Sequence, residues 1–103
     1  MKLTIIDRIL LPSILPKKGR LIQMMVVEDI IQIIRFNVDE ISEYELKDHP
    51  SGGVTFNKAK AKERDFGFTI EHRQVMDDGI KLLDDNEEVS LELLSLIKKI
   101  RSI

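Results

Sequence analysis

A chain of 103 residues, 43% hydrophobic and 33% charged, is long enough for one self-folding domain and too apolar for a disordered segment. Its formal net charge of −2 denies it the concentrated positive field that gripping nucleic-acid phosphates requires. The absence of cysteine rules out disulfides, thiol chemistry and thiolate metal sites.

Asp7 and Arg8 interrupt the first apolar residues, so no secretory leader is expected. No uncharged apolar run approaches the roughly 20 residues of a membrane span. The longest candidate, Leu21 to Val27, stops at Glu28 and Asp29. The expectation is a soluble protein with no membrane partner, cytoplasmic unless it is built into a virion.

Residues 4–11 predict a short helix. Thr4 stands as N-cap with Asp7 three residues on, and Ile5, Ile6, Ile9 and Leu10 share the apolar side. Pro12 and Pro16 are expected to stop it, and Lys17-Lys18-Gly19 to turn the chain. From Leu21 to Phe36 eleven of sixteen residues are apolar. At about 100° per residue Glu28, Asp29, Gln32 and Arg35 fall on one stripe, opposite Val26, Val27, Ile30, Ile33 and Ile34. That periodicity, over a length too great for one strand, predicts a helix.

A further helical turn is expected after Asn37 or Asp39, either of which can cap it. Two short alternating segments, Glu45–Lys47 and Val54–Phe56, flank Asp48-His49-Pro50-Ser51-Gly52-Gly53 and predict a hairpin. Glu63 to Phe68 alternates well enough to add a third strand, with Phe66 and Phe68 on one face. Two closing helices follow, capped at Thr69 and Ser90. Val75, Met76, Ile80 and Leu83 line the first; Leu93, Leu94, Ile97, Ile100 and the stem of Arg101 line the second. The fold class expected is α+β: a helix-dominated single domain over 1–103 with an inserted antiparallel β-hairpin or three-stranded meander.

With its elements in order, the chain resembles small uncharacterised phage- and prophage-encoded proteins. The pattern runs through Leu15-Pro16-Lys17-Lys18-Gly19, the long apolar helix, Gly52 to Asn57 and Leu91 to Leu96. The resemblance implies a phage or mobile-element origin and transfers no activity or site residue.

No catalytic, metal or cofactor motif emerges. His49 and His72 have no second ligand at metal-binding spacing. The acidic run 84–88 lacks the register of a calcium loop, and Gly52-Gly53 lacks the lysine and helix of a phosphate loop. No serine sits in a nucleophile elbow. The expectation is a non-enzyme with no cofactor and no small-molecule substrate.

Two surfaces are left. If extended, Lys58, Lys60, Lys62 and Arg64 share one face, which could meet phosphates or simply protect a strand edge. With few aromatics to stack on bases, the edge reading is preferred and nucleic acid is the alternative. The second surface belongs to the apolar helix. Burying a side chain yields about 1.5–3 kcal/mol, and ordering a residue costs about 1.5 kcal/mol. The segment therefore breaks even only if nearly all its apolar surface is covered. One core-facing stripe cannot hold eleven residues. Ile22 and Met25 flank it on one side, Met24 and Ile31 on the other, and either neighbouring helices or a second chain must cover them. The expected role is a protein-interaction module, self-associating through these four.

Overall fold

A computed structural model describes residues 1–50 and 52–102. Its elements in chain order are β1 (Lys2–Leu3), α1 (Ile5–Ile14), α2 (Leu21–Ile34), α3 (Val38–Glu43), β2 (Lys47–Asp48), β3 (Val54–Thr55), β4 (Arg64–Asp65), α4 (Ile70–Asp85) and α5 (Leu91–Arg101). The fold is α+β, dominated by helix, with two small antiparallel sheets.

Helix α1 begins on a closed capping box: Thr4 Oγ1 accepts from the Asp7 amide, and the Asp7 carboxylate accepts from the Thr4 amide. It does not stop at Pro12. Leu11, Ile14 and Leu15 around the proline are buried, which offsets the one hydrogen bond that Pro12 cannot donate. The helix ends instead at Leu15, whose extended backbone (φ −67°, ψ 145°) is what the following Pro16 demands. Its inward face also differs from expectation. Ile5, Asp7, Arg8, Leu11 and Ile14 are buried, whereas Ile6 is exposed and Ile9 and Leu10 are half-buried. Two charged residues turn inward because both find partners there.

Helix α2 packs its Val27, Ile30 and Ile34 stripe into the core, mainly along α4. The two helices run antiparallel: Asp29 meets His72 at one end, and Gln23 donates to Asp78 at the other. Helix α4 contributes Val75, Met76 and Ile80, and Leu83 packs on the core from its edge. The end of α1 lies against Gly79 so closely that a Cβ there would stand 2.1 Å from the Ile14 carbonyl oxygen. In α5 the buried stripe is Leu93, Leu96, Ile97 and Ile100. Leu96 takes the place expected of Leu94, and Arg101 is exposed, pairing with Asp77 at 3.1 Å.

Strands β2 and β3 form the expected hairpin, Lys47 facing Thr55 and Asp48 facing Val54. Ser51, expected in its loop, lies outside the described residues. The three-stranded meander does not form. Asn57 stops the chain with a tight turn, its carbonyl accepting from the Lys60 and Ala61 amides and its side chain from Ala59. Strand β4 then pairs antiparallel with β1 instead, and Phe66 donates its amide to the Met1 carbonyl.

Candidate functional site

The expected interaction residues sit on α2. Seen down its axis, the side opposite the buried stripe carries Leu21, Ile22 and Met25 in the first half and Glu28, Asp29, Gln32 and Arg35 in the second. Leu21, Ile22 and Met25 are 78%, 77% and 62% exposed, and Ile31, on a flank, 38%. Met24 differs from the other three expected residues: it is half-buried and packs on the core cluster. Leu21 escaped the sequence reading, although its spacing from Met25 at i, i+4 puts both on one strip. The helix is therefore covered on one side and bare on the other, and its bare side is apolar at one end and polar at the other.

Helix α2 also starts differently from its neighbours. Thr4, Asn37, Thr69 and Ser90 each cap a helix with a side-chain oxygen, but the residue before α2 is Arg20, which makes no capping bond. Beside this start runs a shallow groove of about 430 Å³, with Ile22 and Val26 on one wall and Val75 of α4 on the other. Arg20, Glu71 and Asp78 also line it.

Both inward charges of α1 are satisfied. The Arg8 guanidinium meets Glu40 with two nitrogens, at 2.6 and 3.0 Å, and donates to the Ile34 and Arg35 carbonyls at the carboxyl end of α2. Phe36 lies with its ring centre 4.0 Å from the same group. Hydrogen bonding from Arg8 holds the Glu40 carboxyl below the ordinary glutamate range, prevailing over burial, which pushes the other way. Glu40 also closes the capping box with Asn37, so a single carboxylate ties α1, α2 and α3 together. Asp7, the other inward charge, accepts from Lys99 of α5. These pairs span 32 and 92 residues of chain, and no local pattern announces them.

The two histidines are structural in geometry. His72 Nδ1 accepts from the Thr69 amide, which leaves the ring proton on Nε2, donated to Asp29. Both of its nitrogens are thus occupied in joining α4 to α2. His49 Nε2 meets Thr55 Oγ1 across the exposed hairpin. Among the described residues no grouping of three or more His, Asp or Glu side chains could hold a metal ion. Among them, too, no helix is long and apolar enough to cross a membrane.

The basic segment is not extended. Lys58 and Lys60 lie in the turn after Asn57, Lys62 follows in irregular chain, and only Arg64 is in a strand. Arg64 is also engaged, 3.3 Å from Glu40 and over the Phe66 ring. The extended alternation that would align four cations is broken by that turn. Comparison with protein-family models, curated proteins and solved structures finds no significant match to this chain.

Proposed function

We propose that this chain is a non-enzymatic interaction protein that self-associates through the outward face of the first half of α2. One observation carries the reading: Leu21, Ile22 and Met25 stand side by side in solvent on a helix already anchored by its opposite stripe. Scattered exposed apolar residues are ordinary, but three large ones in contiguous register on one helix mark a contact surface.

The magnitude says what kind of contact. Covering what is exposed of these three side chains yields about 1–2 kcal/mol apiece, or about 6–12 kcal/mol for a symmetric pair. Association costs about 4–15 kcal/mol in lost freedom. The gain only just meets the cost, so the dimer is weak and concentration-dependent. The pattern-level resemblance to phage and prophage proteins extends the proposal to a virion component, an assembly accessory or a modulator of a host protein. Flanking genes for capsid or tail components would support that extension.

Light scattering over about 20 µM to 1 mM brackets the affinity such a surface allows. The average mass rises with concentration for the native chain and stays at 11.9 kDa for Met25→Glu, whose circular dichroism is unchanged. A native chain that remains monomeric to the top of the range refutes the reading.

A further inference from the structure

We propose that the corner where α2 gives way to α3 binds an acidic segment of another protein. The segment's carboxylates lie on Arg35 and Arg64, and a neighbouring large apolar side chain enters the pocket between α1, α3 and the β2–β3 hairpin. This corner is at the other end of α2 from Leu21, Ile22 and Met25, so the proposal stands or falls apart from self-association.

Charge at this corner is uncompensated. A groove of about 520 Å³ is lined, among the described residues, by Arg35 and Arg64 and by no carboxylate. The Arg35 side chain donates to Gln32 and, among the described residues, makes no ion pair. Arg64 lies 3.3 Å from Glu40, but that carboxylate already takes two bonds from the buried Arg8. Three guanidinium groups therefore share one acid, and Arg35 and Arg64 are exposed. Other grooves are balanced from within. Arg20 shares its groove with Glu71 and Asp78, and Lys81 and Arg101 share theirs with Asp77, to which both are paired. A local positive excess on a chain of net charge −2 selects an anionic partner.

The partner's second feature follows from what adjoins the groove. Phe36 and Ile41 line both it and a pocket of about 270 Å³, whose other apolar walls are Ile9, Leu46 and Val54. Lys47 and Asp48 beside this pocket are one cation and one anion, so charge there is balanced. Sites that take a whole small molecule enclose about 300–1,000 Å³. This pocket is smaller and suits a single anchoring side chain. Val38 and Ile41, 81% and 45% exposed, line the arginine groove itself, so an arriving peptide covers apolar surface together with charge. Nucleic acid fits less well. Aliphatic walls offer its phosphates nothing, and the Phe36 ring already has the Arg8 guanidinium 4.0 Å from its centre.

Fluorescence anisotropy at low salt measures binding of a labelled octapeptide that alternates glutamate with leucine. A dissociation constant of about 0.1–1 mM is expected. Arg35→Gln changes an exposed side chain outside the core and should weaken binding about fivefold. Replacing the peptide's glutamates by glutamine, or its leucines by serine, should each weaken it at least as much. Amide shifts on the native chain should gather at residues 32–41, 46–48 and 54. Absence of binding at about 2 mM peptide, equal affinity for Arg35→Gln, or shifts on another surface overturns the proposal. So does tighter binding of a single-stranded oligonucleotide at the same residues, which would make the groove a phosphate site. The mass of the chain alone, which tests self-association, is untouched by any of these results.

Discussion

Replacing Glu40 by alanine leaves the Arg8 guanidinium inside the protein with its charge uncompensated. Arg8 is 3% exposed, so water cannot take the place of the carboxylate. Breaking a buried pair by deleting one partner costs about 3–5 kcal/mol. Here the Ile34 and Arg35 carbonyls and the Phe36 ring still face the guanidinium, which puts the expected loss at about 3 kcal/mol, the low end. For a domain with about 5–15 kcal/mol in total, that is a large fraction. Urea unfolding followed by far-ultraviolet circular dichroism at neutral pH measures it. Arg8→Met with Glu40→Leu removes both charges at similar volume and should recover most of the loss. Acid supplies a further check. The folded Glu40 carboxyl is held below its ordinary value, so its contribution is complete above the ordinary glutamate range and is lost as the pH falls through the depressed folded value. The native chain therefore loses stability in acid more steeply than Glu40→Ala. A Glu40→Ala loss below about 1 kcal/mol would refute the assignment of this pair as the tie between α1, α2 and α3.

Three other substitutions follow from the same geometry. Gly79→Ala, normally favourable in a helix by about 1 kcal/mol, is expected to destabilise by about 1–3 kcal/mol because its Cβ meets the Ile14 carbonyl. Gly67→Ala, where a Cβ meets nothing within 4 Å, is the neutral control, and equal urea midpoints for the two would contradict the close approach. Glu87 follows α4 with φ 57°, so Glu87→Gly should raise stability by about 0.5–1 kcal/mol; an unchanged or lower midpoint counts against strain there. His72→Ala removes the acceptor of the Thr69 amide and the link to Asp29, and should cost about 1–2 kcal/mol while speeding exchange of the Thr69 amide. Exchange at Thr69 as slow as in the native chain would mean that the contact to His72 Nδ1 contributes nothing.

What could be read from sequence was local. Thr4 with Asp7, Asn37, Thr69 and Ser90 announce their helices because capping needs only a side-chain oxygen and an amide two or three residues on. The 21–34 helix was legible because its buried stripe of Val27, Ile30 and Ile34 repeats at the helical period. The surplus of apolar residues over what one stripe can hold was legible too, but not whether the chain's own helices cover it; the structure leaves Leu21, Ile22 and Met25 exposed. The rest depends on distant partners. Arg8 and Asp7 look like solvent-facing charges until Glu40 and Lys99 arrive from elsewhere in the chain. Pro12 reads as a helix stop, and only burial of Leu11, Ile14 and Leu15 carries the helix past it. Residues 63–68 alternate as a strand should, but alternation names no neighbour, and the Asn57 turn hands β4 to β1. That same turn takes up Lys58 and Lys60, which would share a face with Lys62 and Arg64 only in an extended chain.

The most direct test of the α2 surface is a dilution series of two-dimensional amide nuclear magnetic resonance spectra on the native chain. Self-association through Leu21, Ile22 and Met25 predicts concentration-dependent shifts confined to the turn before α2 and the helix as far as Glu28, with the α5 and hairpin amides fixed. Spectra that do not change with concentration, or shifts that gather on another surface, would contradict it.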